Sequence, residues 1–192
     1  MRLIVGISGS SGVTYGIRLL QFLSRCEDIE THLVLSQSAR MNIAIETDWT
    51  VTDVEKLADV VHNNKNISAN IASGSYRTSG MIVAPCSMKT LSGIVNSYSD
   101  NLLTRAADVV LKENRKLVLV PREAPLHLGH CELLVRACRL GAVVHPPSPA
   151  FYTQPKTVDD IIDQTVARLL DIFDVEMSEL IRWQGNFNSK KC

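Results

Sequence analysis

The chain has 192 residues, of which 45% are hydrophobic and 21% charged. That suffices for one domain with a sizeable core, and it disfavours disorder, a coiled coil or a collagen-like chain. Lys plus Arg and Asp plus Glu both number 20, so the formal net charge is zero; this disfavours a generally basic nucleic-acid binder or a polybasic membrane-surface protein and permits self-association.

Short apolar runs alternate with helical patterns. Residues 2–8 (RLIVGIS) read as a strand closed by Gly9, and 13–24 as a helix with a stripe of Val13, Ile17, Leu20 and Leu23. Residues 31–35 (THLVL) form the next strand, and 39–45 an apolar helical stretch. Residues 53–62 have helical period through Val54, Leu57, Val60 and Val61. A strand at 81–84 is stopped by Pro85, a helix follows at 101–111, and a strand at 117–120 is stopped by Pro121. A helix at 131–140 ends at Gly141, a natural C-terminal cap, and a strand at 142–145 is stopped by Pro146. Residues 157–173 form a long amphipathic helix with Thr157 as N-cap. Five repeats of strand and helix predict an α/β fold, a mostly parallel sheet with helices on both faces, as a single domain over 1–192. Ligands then bind beyond the carboxyl ends of the strands. The proline-rich stretch 146–156 reads as a stiff active-site loop, too short to separate domains, and 184–192 as a C-terminal tail.

No apolar run approaches the roughly 18–20 residues of a membrane span, and residues 3–7 are too short for a secretory core segment. Five cysteines, Cys26, Cys86, Cys131, Cys138 and Cys192, form no C-x-x-C; reduced thiols in a cytoplasmic protein fit best.

The motifs fall at strand ends. In Ile7-Ser8-Gly9-Ser10-Ser11-Gly12, glycine permits close backbone approach, and hydroxyls with helix N-terminal amides suit a phosphate; the alternative is a plain tight turn. It is not G-x-G-x-x-G, and Ser36 stands where a dinucleotide binder carries an acid, so a mononucleotide is favoured over NAD. Pro85-Cys86-Ser87-Met88-Lys89-Thr90 offers donors at another helix start, or simply an N-cap at Ser87. Pro121-Arg122-Glu123-Ala124-Pro125 displays a charged pair on a stiff loop, facing a ligand or forming a surface ion pair. Glu46 ends an apolar helical stretch as an acid–base candidate or a solvated helix end. Tyr152 can donate to a phosphate and Arg168 can grip one, though either residue type is common on a plain surface. His127-x-x-His130-Cys131 lacks a second cluster for zinc, and the hydrolase nucleophile elbow and the P-loop are absent.

Six motifs in this order, the first extended by Tyr15-Gly16, then Glu46-Thr47-Asp48, the 85–90 segment, Arg105-Ala106-Ala107-Asp108, the 121–125 segment and Ala150-Phe151-Tyr152, resemble the UbiX/Pad1 flavin prenyltransferases from about residue 2 to Trp183. The pattern is most similar to the bacterial Pad1-type paralogues linked to hydroxyarylic acid decarboxylase systems. The resemblance implies a Rossmann-like flavoprotein fold, a dodecamer, and metal-independent transfer of a dimethylallyl group from dimethylallyl monophosphate to N5 and C6 of reduced FMN. The product, prenylated FMN, would serve UbiD-type aromatic acid decarboxylases. It further implies FMN contacts from Gly9, Ser10, Ser11, Ser36, Ser87, Met88, Lys89, Thr90 and Arg122. Tyr152, Arg168, Arg105 and Lys112 are implied to hold the donor phosphate, the family drawing such residues partly from neighbouring subunits. Glu46 matches the family's proton-transfer glutamate, Glu123 lies beside Arg122 near the phosphate, and Trp183 matches an aromatic near the prenyl site. Two departures are local: Ser10 stands where many members have Ala, and Ala150 where they have Gly. Cys86 and Cys131 carry no implied role and read as buried thiols. Rival readings are an FMN-dependent cysteine decarboxylase, which needs a histidine near the flavin, and a non-catalytic FMN-binding protein, which has no use for the phosphate cluster.

Overall fold

A computed structural model of the chain describes residues 1–178 and 180–185; Cys192 and all but the first two residues of the predicted tail lie outside these. The chain divides into two compact units, residues 1–147 and 148–192, the division falling inside the proline-rich stretch. Each is described in turn.

The first unit contains β1 (Arg2–Ile7), β2 (Glu30–Leu35), β3 (Val60–His62), β4 (Gly80–Cys86), β5 (Lys116–Pro121) and β6 (Val143–Val144). Its helices are α1 (Val13–Leu23), α2 (Gln37–Glu46), α3 (Val51–Glu55), α4 (Met88–Val95), α5 (Leu102–Lys112) and α6 (Leu128–Arg139). The strands form one parallel sheet in the order β3-β2-β1-β4-β5-β6. Continuous Val, Leu and Ile runs suit strands covered on both faces, and β1, β2, β4 and β5 are buried almost throughout. Two glycines locate the covering helices. A Cβ on Gly6 would lie 2.9 Å from Met81 Cε and 3.4 Å from Leu103 Cγ, so α5 packs on that face. A Cβ on Gly16 would lie 2.4 Å from the Ala84 carbonyl and 2.6 Å from Ile7 Cδ1, so α1 packs on the other. One core cluster, with Ile4, Met81, Val83, Leu117 and Leu119 from the sheet, joins Leu91 and Ile94 of α4 and Leu103 and Ala107 of α5.

The structure corrects several predicted elements. The helix expected over 53–62 is a single turn, α3, followed by the edge strand β3. Asp59 makes the break: its Oδ2 accepts from Thr31 N (2.7 Å) and Thr31 Oγ1 (2.9 Å), and its own N–H donates back to Thr31 Oγ1 (3.0 Å). That triple tie to β2 leaves the β-branched Val60 and Val61 extended beside it. Pro85 does not stop its strand, whereas β5 ends at Pro121 as expected. β4 runs on to Cys86, which pairs with Pro121 after a register shift. α6 starts three residues before the expected Cys131, with His127 as its N-cap. The exposed Cys131 corrects its reading as a buried thiol.

At the opposite end of the sheet, beside β2, lies a buried histidine pair. His32 Nδ1 is 2.9 Å from His62 Nε2, and His32 Nε2 meets Glu30 Oε1 (3.0 Å) and Tyr76 Oη (3.2 Å). Arg2 pairs with Glu30 and lies 4.7 Å over the Tyr76 ring. Burial pushes both imidazoles below the usual histidine value. The unfolded chain then takes up protons at a pH where the folded one does not, so stability falls as pH drops through the ordinary histidine range. Tm is expected to be lower at pH 5 than at pH 7 by about 2–6 °C. Thermal unfolding of wild type and of a His32→Gln/His62→Gln variant checks this: the variant should show a flatter dependence, and a flat wild-type curve would overturn the account.

The second unit holds a 3-10 turn, Phe151–Thr153, and α7 (Val158–Asp171). Thr157 and Asp160 form a reciprocal capping box, with Thr157 Oγ1 accepting from Asp160 N (3.1 Å) and Asp160 Oδ2 accepting from Thr157 N (2.9 Å). Lys156 N (2.7 Å) and Thr157 N both donate to Asp160 Oδ2 and hold its carboxyl below the usual carboxylate range. Ile162, Val166, Leu169 and Leu170 form the buried stripe of α7.

Candidate active site

In the order β3-β2-β1-β4-β5-β6 the connections part between β1 and β4, and an open parallel sheet forms its ligand crevice beyond that switch point. Ser8, fully buried, links the two strand ends there: its Oγ donates to the Pro85 carbonyl (2.9 Å) and accepts from Ser87 N (2.7 Å).

A cleft of 320 Å³ lies above it and gathers Gly9, Ser36, Ser87, Lys89 and Thr90, all expected from sequence, with Gln37, Ser38, Asn64, Asp100, Asn101 and Leu103. A neighbouring cavity of 530 Å³ shares Lys89, Thr90, Asp100 and Asn101 and extends to Tyr98 and Thr104. The closeness of the walls explains Gly9: a Cβ there would fall 2.2 Å from Ser38 Cβ. Three helices begin at this cleft. Ser36 caps α2 by accepting from Ala39 N (3.1 Å), Ser87 caps α4 by accepting from Thr90 N (3.3 Å), and Asn101 caps α5 by accepting from Thr104 N (3.1 Å). Helix N-termini present N–H groups and the positive end of the helix dipole, so α2 and α4 suit an anion such as a phosphate, while the first amides of α5 are taken by Asn64 and Asn101. Asn64 closes one side, its carbonyl accepting from Leu102 N (2.8 Å) and its Oδ1 from Leu103 N (2.9 Å). Ser38, Asn64 and Asp100 were missed because only the tertiary crossing of α2, β3 and α5 brings them here.

The first turn differs from its expected form. Gly12, at φ 99°, gives α1 no side-chain cap. Glu46 supplies one: its Oε2 accepts from Gly12 N (2.8 Å) and Val13 N (3.3 Å). Amides expected to meet a phosphate are thus bonded to a carboxylate. Ser10 Oγ is shut off from solvent with no hydrogen-bond partner among the described residues, while Ser11 is exposed. A buried hydroxyl left unpaired is rare and marks a position that a ligand or water completes. The Gly9 cradle and the N-termini of α2 and α4 make the cleft a chemical fit for a flavin mononucleotide.

Other expected residues stand elsewhere. The Met88 side chain packs on the core, leaving only its backbone toward the cleft. Arg122 follows β5, its N–H donating to the Cys86 carbonyl (3.3 Å), and the Glu123 carboxylate turns back to Ala124 N (3.1 Å). Arg105 binds the Ala72 carbonyl (3.2 Å) and Asp108 (3.1 Å). Lys112 pairs with Glu113 at the far end of α5, about 16 Å along the helix from Asn101, so within one chain it does not reach the cleft. Cys86 is fully buried and its thiol is pushed up to about 12, so it is no nucleophile near neutral pH. No histidine lines the cleft. Among the described residues, no group of three or more His, Cys, Asp and Glu is arranged to hold a metal, and no helix is long and apolar enough to cross a membrane.

The second unit brings together two expected aromatics, Tyr152 and Trp183, edge to face at 5.6 Å. Arg168 of α7 and Arg182 of the following segment both pair with Asp171, whose carboxyl they hold below its usual range, Arg182 having the larger effect.

The Flavoprotein family model matches residues 1–170. The chain is 58% identical over 186 residues to the flavin prenyltransferase UbiX of Salmonella typhimurium, covering 96% of this chain and 98% of the relative. Two solved structures superpose closely. The dodecameric FMN-dependent UbiX-like decarboxylase from Escherichia coli O157:H7 has a TM-score of 0.95 at 54% identity, covering 96% of this chain and 100% of that one. AnUbiX (PadA1) in complex with FMN and dimethylallyl pyrophosphate has a TM-score of 0.94 at 46% identity, covering 96% and 98%.

Proposed function

The chain belongs to the Flavoprotein family, and on that premise we propose that it is a flavin prenyltransferase of the UbiX group, joining a dimethylallyl group to N5 and C6 of reduced FMN. The observation that carries this reading is the near-full-length match to a flavin prenyltransferase, with a close structural counterpart that holds FMN and a dimethylallyl donor in one complex. It favours prenyl transfer over a cysteine decarboxylase or a passive flavin binder.

FMN is a substrate here, held at the switch-point cleft. Gly9 admits it closely, Ser10 completes its bonding, and the starts of α2 and α4 receive its phosphate. Arg122 stands at the adjoining strand end. The donor's allylic C–O bond breaks to leave phosphate and a delocalised cation. Without a metal, that phosphate needs preorganised cations and hydroxyls, the role of Arg168, Tyr152, Arg105 and Lys112. Tyr152 and Trp183 present π faces to the cation. Bond formation at C6 releases a proton, which Glu46 or the departing phosphate accepts, with Glu123 near the phosphate.

The dodecameric relative supports an assembly of this kind. In such an assembly of this chain, Arg105 and Lys112 would serve a neighbouring copy's site, in keeping with Lys112 standing away from its own cleft. The product goes to a UbiD-type aromatic acid decarboxylase, and the free thiols Cys26, Cys86, Cys131 and Cys138 suit a reducing cytoplasm. Anaerobic incubation with reduced FMN and dimethylallyl monophosphate, followed by mass spectrometry, tests the reading. A flavin heavier by C5H8 is expected; unmodified FMN with both dimethylallyl monophosphate and pyrophosphate would overturn it.

A further inference from the structure

Gln164 stands in the middle of α7, 6% exposed, in a helix whose other inward residues are mostly apolar. A buried carboxamide needs partners for its oxygen and its NH2 group. Both are found on one residue of the segment that follows α7. Gln164 Nε2 donates to the Ile181 carbonyl (3.0 Å), and Ile181 N donates to Gln164 Oε1 (3.0 Å). The side chain thus pairs with Ile181 as a neighbouring strand would. The same Ile181 carbonyl accepts from Tyr152 Oη (3.2 Å). Arg182, next along, is pinned to Asp171. Trp183, one residue further, lies edge to face with Tyr152.

We infer that Gln164 is a positioning residue for the prenyl-transfer reaction: its two bonds to Ile181 set the Tyr152–Trp183 pair. The inference rests on the proposed role of those aromatics at the prenyl site. Tyr152 Oη and Gln164 Nε2 share one acceptor, the Ile181 carbonyl two residues before Trp183, and Gln164 fixes that acceptor. Loss of the clamp frees both rings at once, and neither ring has to touch Gln164 for that to follow.

The test uses the full chain with Trp49 replaced by Phe, so that Trp183 is the sole tryptophan. In that background Gln164→Glu keeps the size and the acceptor but removes the NH2 donor, and Gln164→Met removes both bonds. Each is expected to raise acrylamide quenching of Trp183, already 60% exposed, by about a quarter to a half and to lower kcat about tenfold or more, with FMN affinity unchanged. Trp183→Ala added to Gln164→Met should cause little further loss, since both changes remove the same arrangement. Unchanged quenching, or changed quenching with unchanged kcat, would overturn the inference. If the unsubstituted enzyme forms no prenylated FMN, the functional reading fails by itself, while the quenching of Trp183 still reports on the clamp.

Discussion

Glutamine in place of Glu46 is expected to leave the fold and FMN binding intact while cutting the rate of prenylated FMN formation by about 10²–10⁴-fold. Glu46 has two separable duties. One oxygen caps α1 through Gly12 N and Val13 N. The proposed second duty is to take a proton during ring closure. Glutamine retains an acceptor oxygen for the two amides but cannot accept the proton, so the substitution isolates the second duty. Alanine removes both, and its loss of the cap should cost about 1 kcal/mol of stability in addition. Anaerobic single-turnover measurements, with FMN binding and Tm on the same samples, separate the cases. A Glu46→Gln enzyme with the normal rate would reduce Glu46 to a helix cap.

The second large effect is expected at Arg168. Arg168→Ala should lower kcat/KM for the dimethylallyl donor by about 10²–10³-fold, as is typical when one preorganised charge-stabilising group is removed. FMN affinity should not change, because none of the residues lining the first-unit cleft is altered. Stability should change little: the ion pair is partly exposed, and Arg182 still holds Asp171. Arg168→Lys keeps the charge but loses the planar fork, so it should fall between the two. Kinetics at varied donor concentration decide the matter. Equal losses of FMN and donor binding would mean that Arg168 supports the fold and not the donor.

What was legible in the sequence was what is local. β1, α1 and β2 show their periods within a dozen residues, and Thr157 announces α7 because a capping box is written in adjacent positions. The serines of the cleft were readable for the same reason: Ser36 and Ser87 cap helices immediately after strands. β3 was not, because its three residues follow helical-looking sequence without glycine or proline, and the break depends on Asp59 meeting Thr31 across 28 positions. Asn64 and Asp100 reach the cleft only through a crossing that no local pattern records. Glu46 was found as a residue, but its partners at the start of α1 were not, since a carboxylate capping a distant helix leaves no motif.

Ser8 has a consequence for how such an enzyme can diversify. Its single hydroxyl both donates and accepts across the two strands that flank the crevice, so the gauge of the slot is set inside the sheet. Rim residues such as Gln37 or Asp100 can be exchanged while this internal tie stays in place. Chemistry at the rim is thereby free to drift while the aperture stays constant.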